Sequence, residues 1–230
     1  MLYSTPMVQG LLEDRKNQTR RTKGLEKVNE NPDQWIYDGY MIKGDIKKGV
    51  DPNLYHVFKD KITNERIDLP EVYKKDDILW VREKLHQCGE LGLEYFNQEV
   101  VSEDLIPNDY GPYGGKYSFR TIPSIHMPKW ASRIFLKVKS IRVERLVDIS
   151  EADAINEGVE FLIIDNIKEY KNYTRKSKEF SRYNDYSYPN SPQSSFLSLW
   201  ESINGEESLG LNPWVWVIEF ERIEKPLDFM

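Results

Sequence analysis

Between residues 15 and 21 the chain reads Arg-Lys-Asn-Gln-Thr-Arg-Arg: four cations, two amides and one hydroxyl in seven positions. Lys16 stands three residues before Thr19 and Arg21 two after it, a spacing that could set a hydroxyl beside an amine and hold an anion nearby. A threonine hydroxyl has no useful acidity at neutral pH, so using Thr19 as a nucleophile requires a neighbouring base. Lys16 can be that base only if desolvation, or the charges of Arg15, Arg20 and Arg21, lower its pKa. The same cations also have a plain structural use. They follow the apolar pattern Pro6 to Leu12 and would suit the negative end of that helix.

Three other places carry residues able to bind or react. Ile78 to Glu83 reads as a strand with Ile78, Trp80 and Arg82 on one face and Leu79, Val81 and Glu83 on the other, so a charged residue ends each face. The segment Pro123 to Trp130 is fixed by two prolines and places Ser124, His126 and Trp130 close together. Ser150-Glu151-Ala152-Asp153 opens a two-turn helix with a capping-box pattern, and Gly158 closes it. Glu157 ends that helix against the dipole at a cost of roughly a few tenths of a kcal/mol, which marks it for a use beyond solvation.

The elements that must position these groups alternate with irregular stretches. Thr5-Pro6 predicts a helix start, with Val8, Leu11 and Leu12 on one face. Residues 22–75 are polar and rich in turn signals; Trp35, Tyr37, Tyr40 and Ile42 predict a short hairpin there, and no chemistry is legible in it. Residues 87–122 read as loop. Gly115-Lys116 lacks the Ser or Thr of a phosphate loop, and His86 and Cys88 lack a second ligand pair, so no metal site is expected.

The apolar parity of Ile134, Leu136 and Val138 switches at Ile141 and Val143, which predicts a bulge or bend near Lys139-Ser140. Residues 165–193 are polar; between 168 and 182 Lys and Arg interleave with Tyr170, Tyr173 and Phe180, and Tyr183, Tyr186 and Tyr188 follow. Such a run is either a surface loop or a contact for single-stranded nucleic acid. Phe196, Leu199, Trp200 and Ile203 mark a helix closed by Asn204-Gly205. Trp214 to Phe220, apolar on both faces at first, predicts a central strand.

The totals bound the function. At 230 residues the chain can bury a proper core. A net charge of -6 excludes a globally basic nucleic-acid glove, so any phosphate contact is local. The 13% aromatic content supplies either a ring-rich core or rings that stack on bases. A single cysteine excludes an intrachain disulfide. No apolar run approaches the roughly 20 residues that span a bilayer, and Met1 to Ser4 lacks the start of a signal peptide. A cytoplasmic protein without membrane contact is expected.

Lys16-x-x-Thr19-x-Arg21 after the first helix resembles the signature of the ASCH domains, members of the PUA-like superfamily. Ile78 to Glu83, Ile125 to Arg133, Asp148 to Gly158 and Asn212 to Phe220 are similar to ASCH-like proteins common in phages and prophages. One departure is Asp14, where the family has Gly. The resemblance implies an α+β fold, a PUA-like β-pseudobarrel with flanking helices. It would form a single domain over 1–230, with long loop insertions at about 22–75, 87–122 and 162–193. It also implies a cleft associated with RNA or modified nucleotides.

Three readings follow. In the first, the cleft binds RNA or a modified nucleotide: Lys16, Arg20 and Arg21 meet phosphate, Trp80 or Trp130 stacks on a base, and Arg15, Arg82, Glu83 and His126 line the site. In the second, the chain resembles small bacterial amidohydrolases that remove the acetyl group from 4-acetylcytidine, whose catalytic Lys, Thr and Glu match Lys16, Thr19 and Glu157. Ribonuclease activity is a weaker relative of that reading. In the third, a phage-encoded interaction protein contacts a host protein through its insertions. None of these needs a cofactor, and one fold does not keep one activity.

Overall fold

The computed structural model describes residues 1, 3–45, 50–88, 92–95, 119–174 and 191–227. The chain is a mixed α+β protein built on a curled antiparallel sheet, a half-barrel. In chain order the elements begin with α1 (Thr5–Leu12), β1 (Gln18–Arg21), α2 (Glu26–Asn29), β2 (Trp35–Asp45), β3 (Val50–Asp60) and β4 (Arg66–Pro70). Next come β5 (Ile78–Trp80), β6 (Leu85–Cys88), β7 (Gly92–Tyr95), β8 (Phe119–Ile122) and β9 (Phe135–Arg145). The last are α3 (Glu151–Asn156), β10 (Phe161–Ile164), β11 (Ile167–Tyr170), α4 (Pro192–Asn204), α5 (Glu206–Gly210) and β12 (Trp214–Ile223). Two compact units share the chain. The smaller holds Met1–Asp14, Ile78–Lys137 and Glu221–Met230, the larger Arg15–Asp77 and Val138–Phe220.

In the larger unit β12 lies between β1 and β9. β1 pairs with it antiparallel, Gln18 opposite Glu219, Thr19 opposite Ile218, Arg20 opposite Val217 and Arg21 opposite Trp216. Opposed residues share a face, so Gln18, Arg20, Val217 and Glu219 point one way and Thr19, Arg21, Trp216 and Ile218 the other. On the first face Val215 and Val217 join Leu146, Ile149, Ala154, Val159, Phe196 and Trp200 in one buried cluster. The α4 stripe predicted from the sequence supplies Phe196 and Trp200 to it. Ser191 caps α4 by accepting from the Ser194 N–H, and Gly205 ends it at φ 87°.

On the second face Trp214 and Trp216 meet the sheet β2-β3-β4, with Phe58 edge-on to Trp214 at 5.3 Å and His56 edge-on to Trp216 at 4.8 Å. Each buried indole finds an acceptor: Trp214 Nε1 donates to the Pro32 carbonyl and Trp216 Nε1 to that of Lys23. The stretch 22–75, read as irregular with one short hairpin, therefore contains a three-stranded antiparallel sheet. The pattern was hidden because the β2/β3 register shifts between Tyr37 and Tyr40, around Gly39 at φ 96°, which breaks the period of two.

β9 runs as one strand from Phe135 to Arg145, across Lys139-Ser140 where a bulge or bend is expected. The burial parity switches there: Leu136 and Val138 are buried before it and Val143 after it, while Ser140, Arg142 and Glu144 form a half-buried polar face. That polar face lies on the same side as Glu219, as the Ser140 and Arg142 bonds to it show.

In the smaller unit β5 pairs with the first residues of β9, Trp80 opposite Phe135 and Ile78 opposite Lys137. The strand expected over 78–83 ends at Trp80. Beyond it the Met1 amino group donates to the Trp80 carbonyl and the Arg82 N–H to the Met1 carbonyl. A second sheet has the order β7-β6-β8. Gly115-Lys116 and residues 175–190 of the basic, aromatic run lie outside the described residues. Among the described residues no helix is long and apolar enough to cross a membrane.

Candidate functional site

The motif segment clasps the end of α3. Arg15 Nη1 donates to the Gly158 carbonyl at 2.8 Å, Lys16 Nζ to the Glu157 carbonyl at 2.9 Å, and the Asn17 N–H to the Asn156 carbonyl at 3.0 Å. A helix leaves its last carbonyls without intrahelical partners, and cations favour that end. The cations of the motif thus do serve a helix C-terminus, but that of α3, 140 positions on, rather than the preceding helix. Gly158 makes the approach possible: its φ is 85°, and a Cβ there would stand 2.9 Å from Lys16 Cβ. Asp14, at the position where the resemblance expects Gly, has φ 56°, a left-handed conformation that Asp enters more readily than most residues.

The Lys16 ammonium has three hydrogens and three oxygens to receive them: Glu157 Oε2 at 2.7 Å, the Glu157 carbonyl, and the Gln18 carbonyl at 2.8 Å. Burial pulls its pKa below the ordinary lysine range. The Glu157 carboxylate opposes that shift, and Arg21 and Arg20 add to it. Glu157 Oε1 accepts from Arg20 Nη1 at 3.0 Å. Arg20 also bonds Glu144 and lies 3.5 Å from Asp153, while its guanidinium sits 5.3 Å from the Phe196 ring centre. Arg142 then bridges Glu144, Asp153 and Glu219, and Ser140 donates to Glu219 at 2.7 Å.

Three cations and four carboxylates thus form one layer under α3, graded from 0% side-chain exposure at Lys16 and Arg20 to 43% at Glu219. Asp153 would be raised by burial, but the bond from Gln18 Nε2 and the charges of Arg142 and Arg20 hold its carboxyl below the usual range. Gln18 Oε1 is buried with no partner among the described residues.

Of the three residues matched to catalytic roles, Lys16 and Glu157 meet and Thr19 does not join them. Thr19 is 1% exposed and points to the opposite face of β1, beside Ile218. Arg15 and Arg21 are half-buried; Arg21 Nη1 donates to its neighbour's carbonyl.

The smaller unit holds the remaining sequence candidates. Arg82 lies over the Trp80 ring at 4.5 Å and donates to the Ile125 carbonyl at 3.3 Å. His126 and Trp130 sit on successive single turns after Pro123 and Pro128, both exposed, Trp130 at 61%. Glu83 is expected from the sequence to end one face of a strand and to line the site. It is buried and gripped by Arg133 through two bonds of 3.0 and 2.9 Å, which neutralises it and removes it from any ligand surface.

Comparison with protein families, with curated proteins and with solved structures gives no match to this chain.

Sequence reasoning missed two groups. Gln18, Ser140, Arg142, Glu144, Asp153 and Glu219 belong to the charged layer, and the parity switch of β9 was the legible signal for half of them. The second group is the chain Tyr37–His56–Glu71, with His56 Nδ1 2.9 Å from the Tyr37 hydroxyl and Nε2 3.0 Å from Glu71 Oε1. Its members are brought together by strand pairing across a bulge, which no spacing in the sequence announces. Among the described residues no group of three or more His, Cys, Asp or Glu is placed to hold a metal.

Proposed function

We propose that this chain is a PUA-like, ASCH-type reader of RNA or a modified nucleotide. The reading is supported most by one observation: the smaller unit carries an exposed Trp130, an exposed His126 and a Trp80–Arg82 stack, with Arg82 also bonded to the Ile125 carbonyl. Unpaired bases stack on aromatic and guanidinium planes, and with a net charge of -6 such a local surface is where a nucleic acid could be tolerated. In this reading the Lys-x-x-Thr-x-Arg segment clasps α3 and builds the fold, and Lys16 and Arg20 do not touch phosphate.

The test is titration of short single-stranded RNA and of mononucleotides, read by tryptophan fluorescence. Binding should weaken as salt rises. Trp130→Ala should lower affinity by roughly 5- to 150-fold, since a base–ring stack contributes about 1–3 kcal/mol. Absence of binding to any RNA, DNA or nucleotide, or affinity indifferent to Trp130→Ala and Arg82→Ala, would defeat the reading.

A second reading, deacylation of a modified nucleoside, draws on the 2.7 Å contact of Lys16 with Glu157 and the lowered Lys16 pKa. Against it stand the saturated ammonium and the opposed direction of Thr19. Release of acetate from 4-acetylcytidine, abolished by Lys16→Ala in a folded protein, would establish it.

A further inference from the structure

The larger unit carries a cavity of about 260 Å³ lined by Asn53, Leu54, Pro70, Glu71, Lys74 and Lys75. It lies where β3 and β4 pair, with Glu71 N–H donating to the Leu54 carbonyl just past β4. Three features give it a chemical character. First, Glu71 is held. Carboxylates only accept, so the shared hydrogen is on His56 Nε2, and the Tyr37 hydroxyl bonds the other ring nitrogen, Nδ1. Burial and the nearby Glu71 charge raise the Tyr37 pKa. His56 is itself buried between Tyr37 and Trp216.

Second, Lys74 and Lys75 are exposed at the same cavity, and among the described residues neither ammonium makes an ion pair, with Glu71 or with any other carboxylate. Two cations are thus available to an anion at the mouth, beside a carboxylate oriented by its own relay and able to accept from hydroxyl groups. Leu54 and Pro70 supply apolar walls. Third, the volume is below the range of about 300–1,000 Å³ typical of drug-sized ligand sites. That excludes a dinucleotide or a folded RNA element and suits a single small molecule.

We propose that this cavity binds a phosphorylated sugar, the phosphate on Lys74 and Lys75 and the sugar hydroxyls donating to Glu71 and Asn53. The site is separate from the tryptophan surface, all its residues lying in the larger unit, and it does not depend on the RNA-binding reading. The relay from Tyr37 through His56 is a positioning device: it fixes the Glu71 carboxylate so that little rotational freedom is lost on binding.

The experiment is calorimetric titration of the full chain with ribose 5-phosphate, inorganic phosphate and ribose. Ribose 5-phosphate should bind at least about tenfold more tightly than either fragment, because both ends of the site are used. Lys74→Ala/Lys75→Ala, both surface positions, should lower affinity for both phosphate-bearing probes by about tenfold or more. Glu71→Gln should bring ribose 5-phosphate down to the level of inorganic phosphate and leave the latter unchanged. The proposal is overturned if ribose 5-phosphate binds no better than inorganic phosphate, if none of the probes binds, or if the double lysine variant binds as wild type does. Because the lysine variant touches no buried group, that arm stands even if Glu71→Gln fails to fold.

Discussion

The two faces of β12 solve the same problem by opposite means. Toward α3, next to Val215 and Val217, the sheet buries charge: Lys16, Arg20 and Glu157 are almost wholly removed from water and are bonded to one another and to backbone carbonyls. Toward β3, beneath Trp214 and Trp216, it buries a phenol and an imidazole, hydrogen-bonded to each other and, through the imidazole, to the Glu71 carboxylate at the edge. Removing one member of the ionic cluster strands a full charge in low dielectric, whereas removing the imidazole strands a phenol and leaves Glu71, whose side chain is 12% exposed, at the edge of the cavity. The motif that the sequence marks as chemical therefore sits on the face where loss is most costly. The quieter relay sits on the face that opens to a cavity.

That contrast can be broken or sharpened by substitution. Glu157→Ala leaves both Lys16 and Arg20 without their shared anion. It should cost about 3–5 kcal/mol, the range for breaking a buried pair from one side, read as a lower urea midpoint with unchanged slope. His56→Phe keeps the ring packed on Trp216 and removes two hydrogen bonds. It should cost less, about 1–3 kcal/mol; a loss equal to that of Glu157→Ala would erase the distinction between the faces.

Asp153→Asn should have the smallest effect, about 1 kcal/mol at neutral pH, because its carboxylate is partly solvated. Its sign with pH is definite. The folded carboxyl titrates below its unfolded value, so its contribution is fully present above the unfolded pKa of about 4 and is lost as pH falls through the folded one. The stability gap between Asp153→Asn and wild type should therefore close in acid; a gap that widens there would refute the assigned shift.

Local signals were the legible ones. Ser150 and Gly158 mark α3, Gly205 marks the end of α4, and Trp214 to Phe220 reads correctly as a central strand. Glu157 stands out because an acid at the end of α3 opposes the helix dipole, and in the fold it pairs with Lys16 and Arg20. What the sequence could not show is pairing over distance. Nothing local places Arg15 to Asn17 on the carbonyls of residues 156–158, or turns Thr19 away from Glu157. The latter follows only from β1 entering the sheet at Gln18, since a strand directs successive side chains to opposite faces. The His56 relay was illegible for the same reason, compounded by the bulge at Gly39. Arg82 and Trp80 share a face as the alternation predicts, while Glu83 is buried because Arg133, 50 positions on, meets it.

The division of labour we propose is that Lys16 holds the fold while Trp130 and the Trp80–Arg82 stack meet nucleic acid. The measurement that tests it most directly is the urea midpoint together with single-stranded RNA affinity, taken on both Lys16→Met and Trp130→Ala. The account predicts a lowered midpoint and wild-type affinity of the folded protein for Lys16→Met. For Trp130→Ala it predicts an unchanged midpoint and weakened binding. A Lys16→Met protein that keeps its midpoint yet loses RNA binding would contradict it.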